Sequence, residues 1–306
     1  MLWGMSESSA KRRTTAGIRI PSLKTEVQQA PDGTLDQLNA FIHAHHNLLV
    51  ITGAGLSTGS GIPAYRNDSG QWLRRTPIFY QDFMRSATAR RRYWARSYIG
   101  WQPVARAEPN RGHLGLSQLE RAGHIHTLIT QNVDGLHQRA GSNKIIELHG
   151  QLGRVRCLDC DAEFGRDAIQ HRLTELNPHW SPEVFQVNPD GDVDLDDAAY
   201  PGFKVADCLQ CRGRLKPDVV FFGESVCPSV TTAISNACAN CDAVLVVGSS
   251  LVVMSGYRIV KAMHNQNKPI VAINQGRTRA DDLLAFKVQK DCVATLDGLS
   301  QTCSAP

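Results

Sequence analysis

The sequence predicts an α/β fold, an open, doubly wound parallel sheet with a small cysteine-bearing module inserted in its second half. Three observations carry that prediction. Short, continuously apolar runs recur along the chain and each breaks into glycine-rich or polar residues, the pattern of strands buried on both faces. Segments with a helical spacing of apolar residues lie between them. That rhythm stops between Cys157 and Cys211, where two C-x-x-C pairs bracket an acidic, loop-rich stretch, NPDGDVDLDDAAYPG.

The chain of 306 residues is longer than one average domain without requiring two, which suits a large domain carrying an insert. Its first residues, MLWGMSESSAKRRTTAGIRIP, lack an apolar core of signal-peptide length, so 1–30 is expected to be a flexible tail, with an organelle-targeting segment as the alternative. Thr34 then caps a helix whose Leu35, Leu38, Phe41 and Ile42 share one apolar face. The run Asn47-LLVIT is the first buried strand and ends in Gly53-Ala54-Gly55, as a strand does when it enters a phosphate-facing loop. His126-TLIT, Ala243-VLVV and Pro269-IVAIN read as further strands, and 114–122 and 256–265 as helices. The expected division is 31–156 with 213–300 for the sheet domain, 157–212 for the insertion and 301–306 for a C-terminal tail. No internal repeat is visible.

An apolar fraction of 42% and a charged fraction of 20% are those of an ordinary globular protein, and no apolar run is long enough to span a bilayer. The net charge of +4 is small, and Arg90-Arg91-Arg92 reads as a solvated helix face, so neither nucleic acid nor a membrane is an expected partner. Six of the nine cysteines form three C-x-x-C pairs, which points to metal ligation in a reducing compartment. The cytoplasm is the expected location, with the mitochondrial matrix as the alternative.

Cys157/Cys160 and Cys208/Cys211, separated by roughly fifty residues, supply four thiolates for a closed tetrahedral zinc site. Four sulfurs leave no open position, so this zinc braces the insertion and takes no part in chemistry. Cys238/Cys241 falls in a helix before a buried strand and reads as core packing.

Two segments carry candidate chemistry. In the stretch from Gly53 to Arg66, glycines beside backbone N–H groups let a diphosphate approach, and Ser57 and Thr58 add hydroxyls; the other reading is a tight βα turn. The spacing is not that of a hydride-transfer dinucleotide site, because Thr58 stands where the third glycine of G-x-G-x-x-G belongs. The second segment, Thr130-Gln131-Asn132-Val133-Asp134-Gly135-Leu136-His137, follows a buried strand and precedes Glu147-Leu148-His149-Gly150. Amide, acid and imidazole groups at the carboxyl end of a strand lie where open α/β sheets bind ligands, and His149 is either a base or a structural histidine. His137, His113, His124 and His126 read as structural.

Taken together, G-A-G-x-S-x-x-S-G-I-P-x-Y-R, T-Q-N-V-D-x-L-H, E-L-H-G, the two cysteine pairs, K-P-D-V-V-F-F-G-E, V-G-S-S-L and I-N-Q-G resemble the motifs of the sirtuin family in their order, from about residue 35 to 296. Met254-Ser-Gly-Tyr-Arg, Arg92-Tyr-Trp-Ala-Arg and the acidic P-D-G-D-V look like its class II, sirtuin 4-like branch. The resemblance implies a Rossmann-like NAD-binding domain and an NAD-consuming protein deacylase that releases nicotinamide, free lysine and O-acyl-ADP-ribose.

Carried over by residue, it implies that Gly53, Ala54 and Arg66 hold the diphosphate and ribose, with Ser57 and Tyr65 beside them. Gln131, Asn132, Asp134 and Ile62 would line the nicotinamide pocket. Gly248, Ser249, Ser250, Asn274 and Gln275 would face the adenosine ribose, and Cys292 the adenine. His149 would be the general base, with Asn132 and Asp134 as its catalytic companions. An acyl-lysine protein would bind to a monomer as an added strand between 220–224 (Val220, Phe222, Gly223, Glu224) and 248–252 (Leu251, Val252).

The sequence departs from the family at Ala64, usually Asp, at Gly59, and at Asn110-Arg-Gly-His113 in place of N-P-A-H. Tyr93-x-x-Arg96 matches a pair by which another branch grips acidic acyl chains, and the same two residues can equally pack a helix surface. Mono-ADP-ribosyl transfer and a non-catalytic NAD- or ADP-ribose-binding module are the rival readings; a zinc hydrolase fits the closed cysteine set poorly.

Overall fold

The computed structural model describes Leu23 and residues 28–64, 78–187 and 191–303. Tyr65 and Arg66, nearly all of the expected N-terminal tail and the last three residues lie outside the described residues.

The first part of the chain runs α1 (Leu35–Ala44), β1 (Leu48–Thr52), α2 (Ala54–Ser57), α3 (Tyr80–Arg85), α4 (Ala87–Arg106), α5 (Arg111–Arg121), β2 (Ile125–Thr130), α6 (Leu136–Arg139) and β3 (Ile145–Glu147). The middle part holds β4 (Gly150–Cys157), β5 (Glu163–Gly165), α7 (Arg166–Leu176), β6 (Val184–Val187), β7 (Val193–Leu195) and β8 (Leu215–Val219). The chain then returns through α8 (Pro228–Asn240), β9 (Ala243–Val247), α9 (Met254–His264), β10 (Ile270–Ile273), β11 (Phe286–Val288) and α10 (Cys292–Cys303). No helix among the described residues is long and apolar enough to cross a membrane.

Six parallel strands form the large sheet in the order β11-β10-β9-β1-β2-β3. β1, β9 and β10 are buried at every position, so both faces of the sheet must be covered. On one face Leu49, Ile51, Val244, Val246 and Ala272 pack against Cys238 of α8 and Ile259, Val260 and Met263 of α9. On the other, Leu48, Val50, Leu128 and Leu245 meet Leu38 and Ile42 of α1, Leu116 and Leu119 of α5 and Leu296 of α10. Thr34 starts α1 with a reciprocal cap, its hydroxyl accepting from the Gln37 N–H while the Gln37 side chain accepts from the Thr34 N–H. α5 begins three residues before the expected 114, because the Asn110 side chain accepts from the N–H groups of Gly112 and His113.

The sheet builds outward from β1 in both directions, β2 and β3 to one side and β9 to β11 to the other. The order therefore reverses between β1 and β9, and a crevice opens beyond their carboxyl ends, where doubly wound sheets take ligands.

A smaller module stands beyond that crevice, with an antiparallel sheet β5-β4-β8 and the β6-β7 pair. Its core extends past the cysteine-bearing 157–212 region. Phe83 of α3 and Tyr93 and Trp94 of α4 pack with Val155, Ile169, Leu173, Phe203, Leu215 and Phe221 in one cluster. Arg166, buried at the start of α7, donates to the Ser97 carbonyl and lies about 5.4 Å from the rings of both Trp94 and Trp101, which ties α4 to the module.

Candidate active site

At the carboxyl ends of β1 and β9 the backbones of two loops touch. The Gly53 N–H donates to the Val247 carbonyl at 3.1 Å and the Gly55 N–H to the Gly248 carbonyl at 2.8 Å. A Cβ on Gly55 would lie 2.8 Å from that carbonyl oxygen, and one on Gly248 would lie 2.5 Å from the Leu56 nitrogen, at a φ of +57°. Side chains are thus excluded where the loops cross. Gly53, Ala54, Gly55, Gly248 and Ser249 form this end of a cavity of about 1050 Å³. Asn274, Gln275 and Cys292 line the same end, and burial pushes the Cys292 thiol up to about 12, which makes it an inert wall.

The polar end is built on β2. The Asn132 amide donates to the Gly53 carbonyl at 3.0 Å and to Ser57 Oγ at 2.9 Å. Ser57 Oγ donates to Asp134 Oδ2 at 2.7 Å, and the Leu136 N–H donates to Asp134 Oδ1 at 2.9 Å. Burial pushes the Asp134 carboxyl above its usual range, and these two donors partly hold it down. With both amide hydrogens used, the Asn132 carbonyl oxygen remains an acceptor for a ligand. Asn132 lines the cavity; Ser57, Asp134 and Ile62 form the layer beside it and do not border it. The Gln131 amide donates to the Thr52 carbonyl and to Ser249 Oγ, joining the β1, β2 and β9 loops.

His149 enters the cavity from the turn between β3 and β4. That turn needs Gly150, whose φ is +76° and whose Cβ would meet the Asp218 carbonyl oxygen at 2.0 Å. His149 Nδ1 donates to the Gln131 carbonyl at 3.0 Å, since a carbonyl can only accept, and this leaves Nε2 unprotonated. Nε2 then accepts from the Ser255 hydroxyl of α9 at 2.7 Å. Burial lowers the His149 pKa, so the imidazole is a neutral base at neutral pH.

The opposite wall is the 220–224 segment, tied to His149 by the Val220 N–H, which donates to the His149 carbonyl at 2.8 Å. Val220, Phe222, Gly223 and Glu224 line the cavity, as do Leu251 and Val252 across from them. Glu224 turns its carboxylate inward, accepting from the Phe221 N–H at 2.8 Å and pairing with buried Lys216 at 3.0 Å, so it shapes this wall. Tyr93 also lines the cavity, while Arg96 does not: its side chain is buried in an ion pair with Asp192. A carboxylate-binding role for Arg96 thus meets a guanidinium already engaged.

The four thiols of Cys157, Cys160, Cys208 and Cys211 lie within 4.8 Å of one another, with Sγ–Sγ separations of 3.5 Å (157 to 211) and 3.7 Å (160 to 208). Tetrahedral zinc with bonds of about 2.3 Å needs sulfurs about 3.8 Å apart, so the set fits the metal. N–H groups of Asp159, Gln210 and Gly213 point at three of the sulfurs, as suits thiolates. Zinc here would be held by side chains alone and would lock the two cysteine turns together. Cys238 and Cys241 are buried in the core beside α9, as expected of packing residues.

Sequence reasoning missed two contributors, Ser255 and Asp192. Ser255 lies in Met254-Ser-Gly-Tyr-Arg, noted only as a branch signature. Asp192 sits in the acidic stretch, whose composition suggests solvent exposure, and is buried instead. His137 and His113, read from the sequence as structural, lie buried beneath the site, with ring centroids 4.9 Å apart and His137 bonded to Thr52 at 2.9 Å; burial lowers both, His113 to about 4.

Comparison with known proteins agrees with this geometry. The Sir2 family model matches residues 53–255, and the chain belongs to that family. It is 48% identical over 258 residues to an NAD-dependent protein deacetylase of Bordetella bronchiseptica, covering 84% of this chain and 94% of the relative. It is 47% identical over 259 residues to the mitochondrial NAD-dependent protein lipoamidase sirtuin-4 of Bos taurus, covering 84% and 82%. Among solved structures, a Sir2 complex with a p53 peptide and NAD+ superposes with a TM-score of 0.69 at 27% identity, covering 88% of this chain and 98% of that one. A Sir2 homologue bound to NAD gives 0.69 at 27%, covering 90% and 96%.

Proposed function

We propose that this protein cleaves NAD to move an acyl group from a protein lysine onto ADP-ribose. The observation that carries the reading is His149: a neutral imidazole on the cavity wall, between the glycine crossover and the 220–224 segment, with its proton fixed on Nδ1 and an unprotonated Nε2 that accepts from Ser255.

In this reading NAD lies across the crevice, its diphosphate against Gly53, Ala54 and Gly248 and its adenosine towards Asn274, Gln275 and Cys292. Tyr65 and Arg66 would complete the ribose contacts. Nicotinamide enters beside Asn132, where Gln131 and the Asp134–Ser57 pair fix the surrounding polar groups, with Ile62 behind. The acyl oxygen attacks the ribose carbon as the bond to nicotinamide breaks, and a dry, fixed dipole array stabilises the developing charge better than water does. His149 Nε2 then accepts a proton from a ribose hydroxyl, which attacks the acyl carbon. Water completes the balance, and lysine, nicotinamide and O-acyl-ADP-ribose leave. Ser255 gives up its bond to Nε2 when the ribose hydroxyl arrives.

The peptide adds as a strand between 220–224 and 248–252, reading backbone more than sequence. The reading extends to a monomer acting on proteins of the cytoplasm, where four thiolates stay reduced. Measuring nicotinamide release with and without an acetyl-lysine peptide tests it. Release that requires the acyl group is the expected result. Equal release without it would favour ADP-ribosyl transfer, and binding of NAD with no release at all would leave a binding module.

A further inference from the structure

We infer that Asp192 is the specificity-determining residue at the deep end of the acyl cavity: by holding Arg96 in a two-point ion pair, it turns away acyl chains that end in a carboxylate and leaves the cavity to uncharged chains. The inference rests on the deacylase reading.

Tyr93 and Arg96 lie three residues apart on α4, a spacing that places both on one face. Tyr93 borders the cavity together with Phe221, its ring centroid 5.0 Å away, and Val219. Arg96 does not reach it, because Asp192 stands in front. Arg96 Nε donates to Asp192 Oδ1 at 2.7 Å and to the Val193 carbonyl at 3.0 Å, and a second guanidinium nitrogen donates to Asp192 Oδ2. Both side chains are 9% exposed, and Asp192, unlike Arg96, borders the cavity. The charge an arriving carboxylate meets first is therefore negative.

The arrangement is built in. Gly100 lies one helical turn after Arg96 on the same face of α4, and the backbone of Gly191 packs directly on it: a Cβ at Gly100 would be 2.4 Å from the Gly191 carbonyl oxygen. The missing side chain at Gly100 lets the loop settle on α4, and the next residue delivers its carboxylate to Arg96. The Val193 N–H also donates to Asp192 Oδ1 at 2.9 Å, fixing its orientation. A chain ending in a carboxylate must either displace Asp192 from a buried pair or lie beside it as a second buried anion, and both are unfavourable. Among the described residues, an uncharged chain packs on Tyr93, Phe221 and Val219 and brings no second anion to Asp192.

Butyryl- and succinyl-lysine peptides of one sequence separate the cases, because the chains match in length and differ in the terminal charge. The wild-type protein is expected to favour butyryl over succinyl in kcat/KM by about a hundredfold, the scale of like-charge rejection at a desolvated site. Asp192→Asn, nearly isosteric, leaves Arg96 without its counter-charge and should cut that ratio by about tenfold or more, while Asp192→Asn with Arg96→Gln should abolish the gain. Zinc content and the thermal transition establish that each variant is folded. A wild-type ratio near one would overturn the inference whether or not the variants fold, as would a folded Asp192→Asn protein with an unchanged ratio. Failure of every acyl peptide to release nicotinamide would remove the deacylase reading, and this inference with it; normal turnover with no charge discrimination removes the inference alone.

Discussion

In the proposed reading, which puts the nucleotide at one end of the cavity and the acyl chain at the other, the two ends are built in opposite ways. The nucleotide end is backbone: glycines from the β1 and β9 loops in direct contact, with side chains from one short run after β2. The acyl end is side chains from distant places, Tyr93 and Arg96 on α4, Asp192 before β7 and Phe221 after β8, held by a module with its own core and its own metal site. An end made of backbone has little room to vary, whereas an end made of side chains would, on the inference drawn above, change its substrate by changing one charge. In the proposed reading the first fixes the reaction and the second selects what undergoes it.

That contrast can be broken experimentally, most drastically through the metal. Replacing Cys160 and Cys208 by Ser should drop bound zinc from one per chain to none and collapse the module, because zinc bound to four thiolates contributes on the order of 10 kcal/mol to folding. Trp94, Trp101 and Trp180 all pack on the module side, so tryptophan fluorescence reads the collapse directly. Retained native fluorescence without metal would show that the module needs no brace.

Acid should loosen the nucleotide end. Burial holds His113 at about 4 against an ordinary value of 6.5, and His137 well below 6.5. In both cases the unfolded chain takes up a proton that the folded chain refuses. Their contribution is therefore complete above pH 6.5 and lost as pH falls towards the folded values. Between pH 6.5 and about 5, above most carboxylate titration, His113 alone should cost about 2 kcal/mol in denaturant unfolding. A flat stability over that interval would contradict the assignment.

Gly55→Ala pushes a methyl to within 2.8 Å of the Gly248 carbonyl oxygen, a backbone group that cannot swing aside. A stability loss of about 1–3 kcal/mol is expected, with weaker NAD binding by calorimetry and unchanged zinc content. Unaltered NAD affinity would mean that the crossover can open without cost. The smallest effect is expected at Ser255→Ala. Losing the hydroxyl that donates to His149 Nε2 removes a stabilisation of the neutral imidazole, so the acid limb of the kcat/KM profile should move to higher pH by less than about one unit. A shift to lower pH would reverse the assigned direction of that hydrogen bond.

Most of the fold, and the motifs that line the crevice end of the cavity, were legible in the sequence because their information is local. β1, β9 and β10 announced themselves as unbroken apolar runs, Thr34 as a cap, and the glycines, Asn132, Asp134 and His149 as contiguous motifs at strand ends. The start of α5 was less legible, since the unusual Asn110-Arg-Gly-His113 cap hid it; Gly112 there also lets α5 approach Leu56, where a Cβ would lie 2.7 Å from a Leu56 methyl. The acyl end was not legible. Arg96 and Asp192 are 96 residues apart, and an acidic stretch gives no sign that one of its carboxylates is buried against a helix. The recruitment of α4 into the module core was hidden for the same reason: Tyr93 and Trp94 directly follow Arg90-Arg91-Arg92, which reads as a solvated helix face, and their partners Val155, Phe203 and Leu215 lie far along the chain.

The central claim is that His149 is the base that passes the acyl group to ADP-ribose. Mass spectrometry of NAD with an acyl-lysine peptide, comparing the wild-type protein with His149→Ala, tests it most directly. The account predicts nicotinamide, free lysine and O-acyl-ADP-ribose in equal amounts from the wild type, and a loss of the acylated product by about 10²–10⁴-fold in a variant that still binds NAD. O-acyl-ADP-ribose formed at the wild-type rate without the imidazole would contradict it.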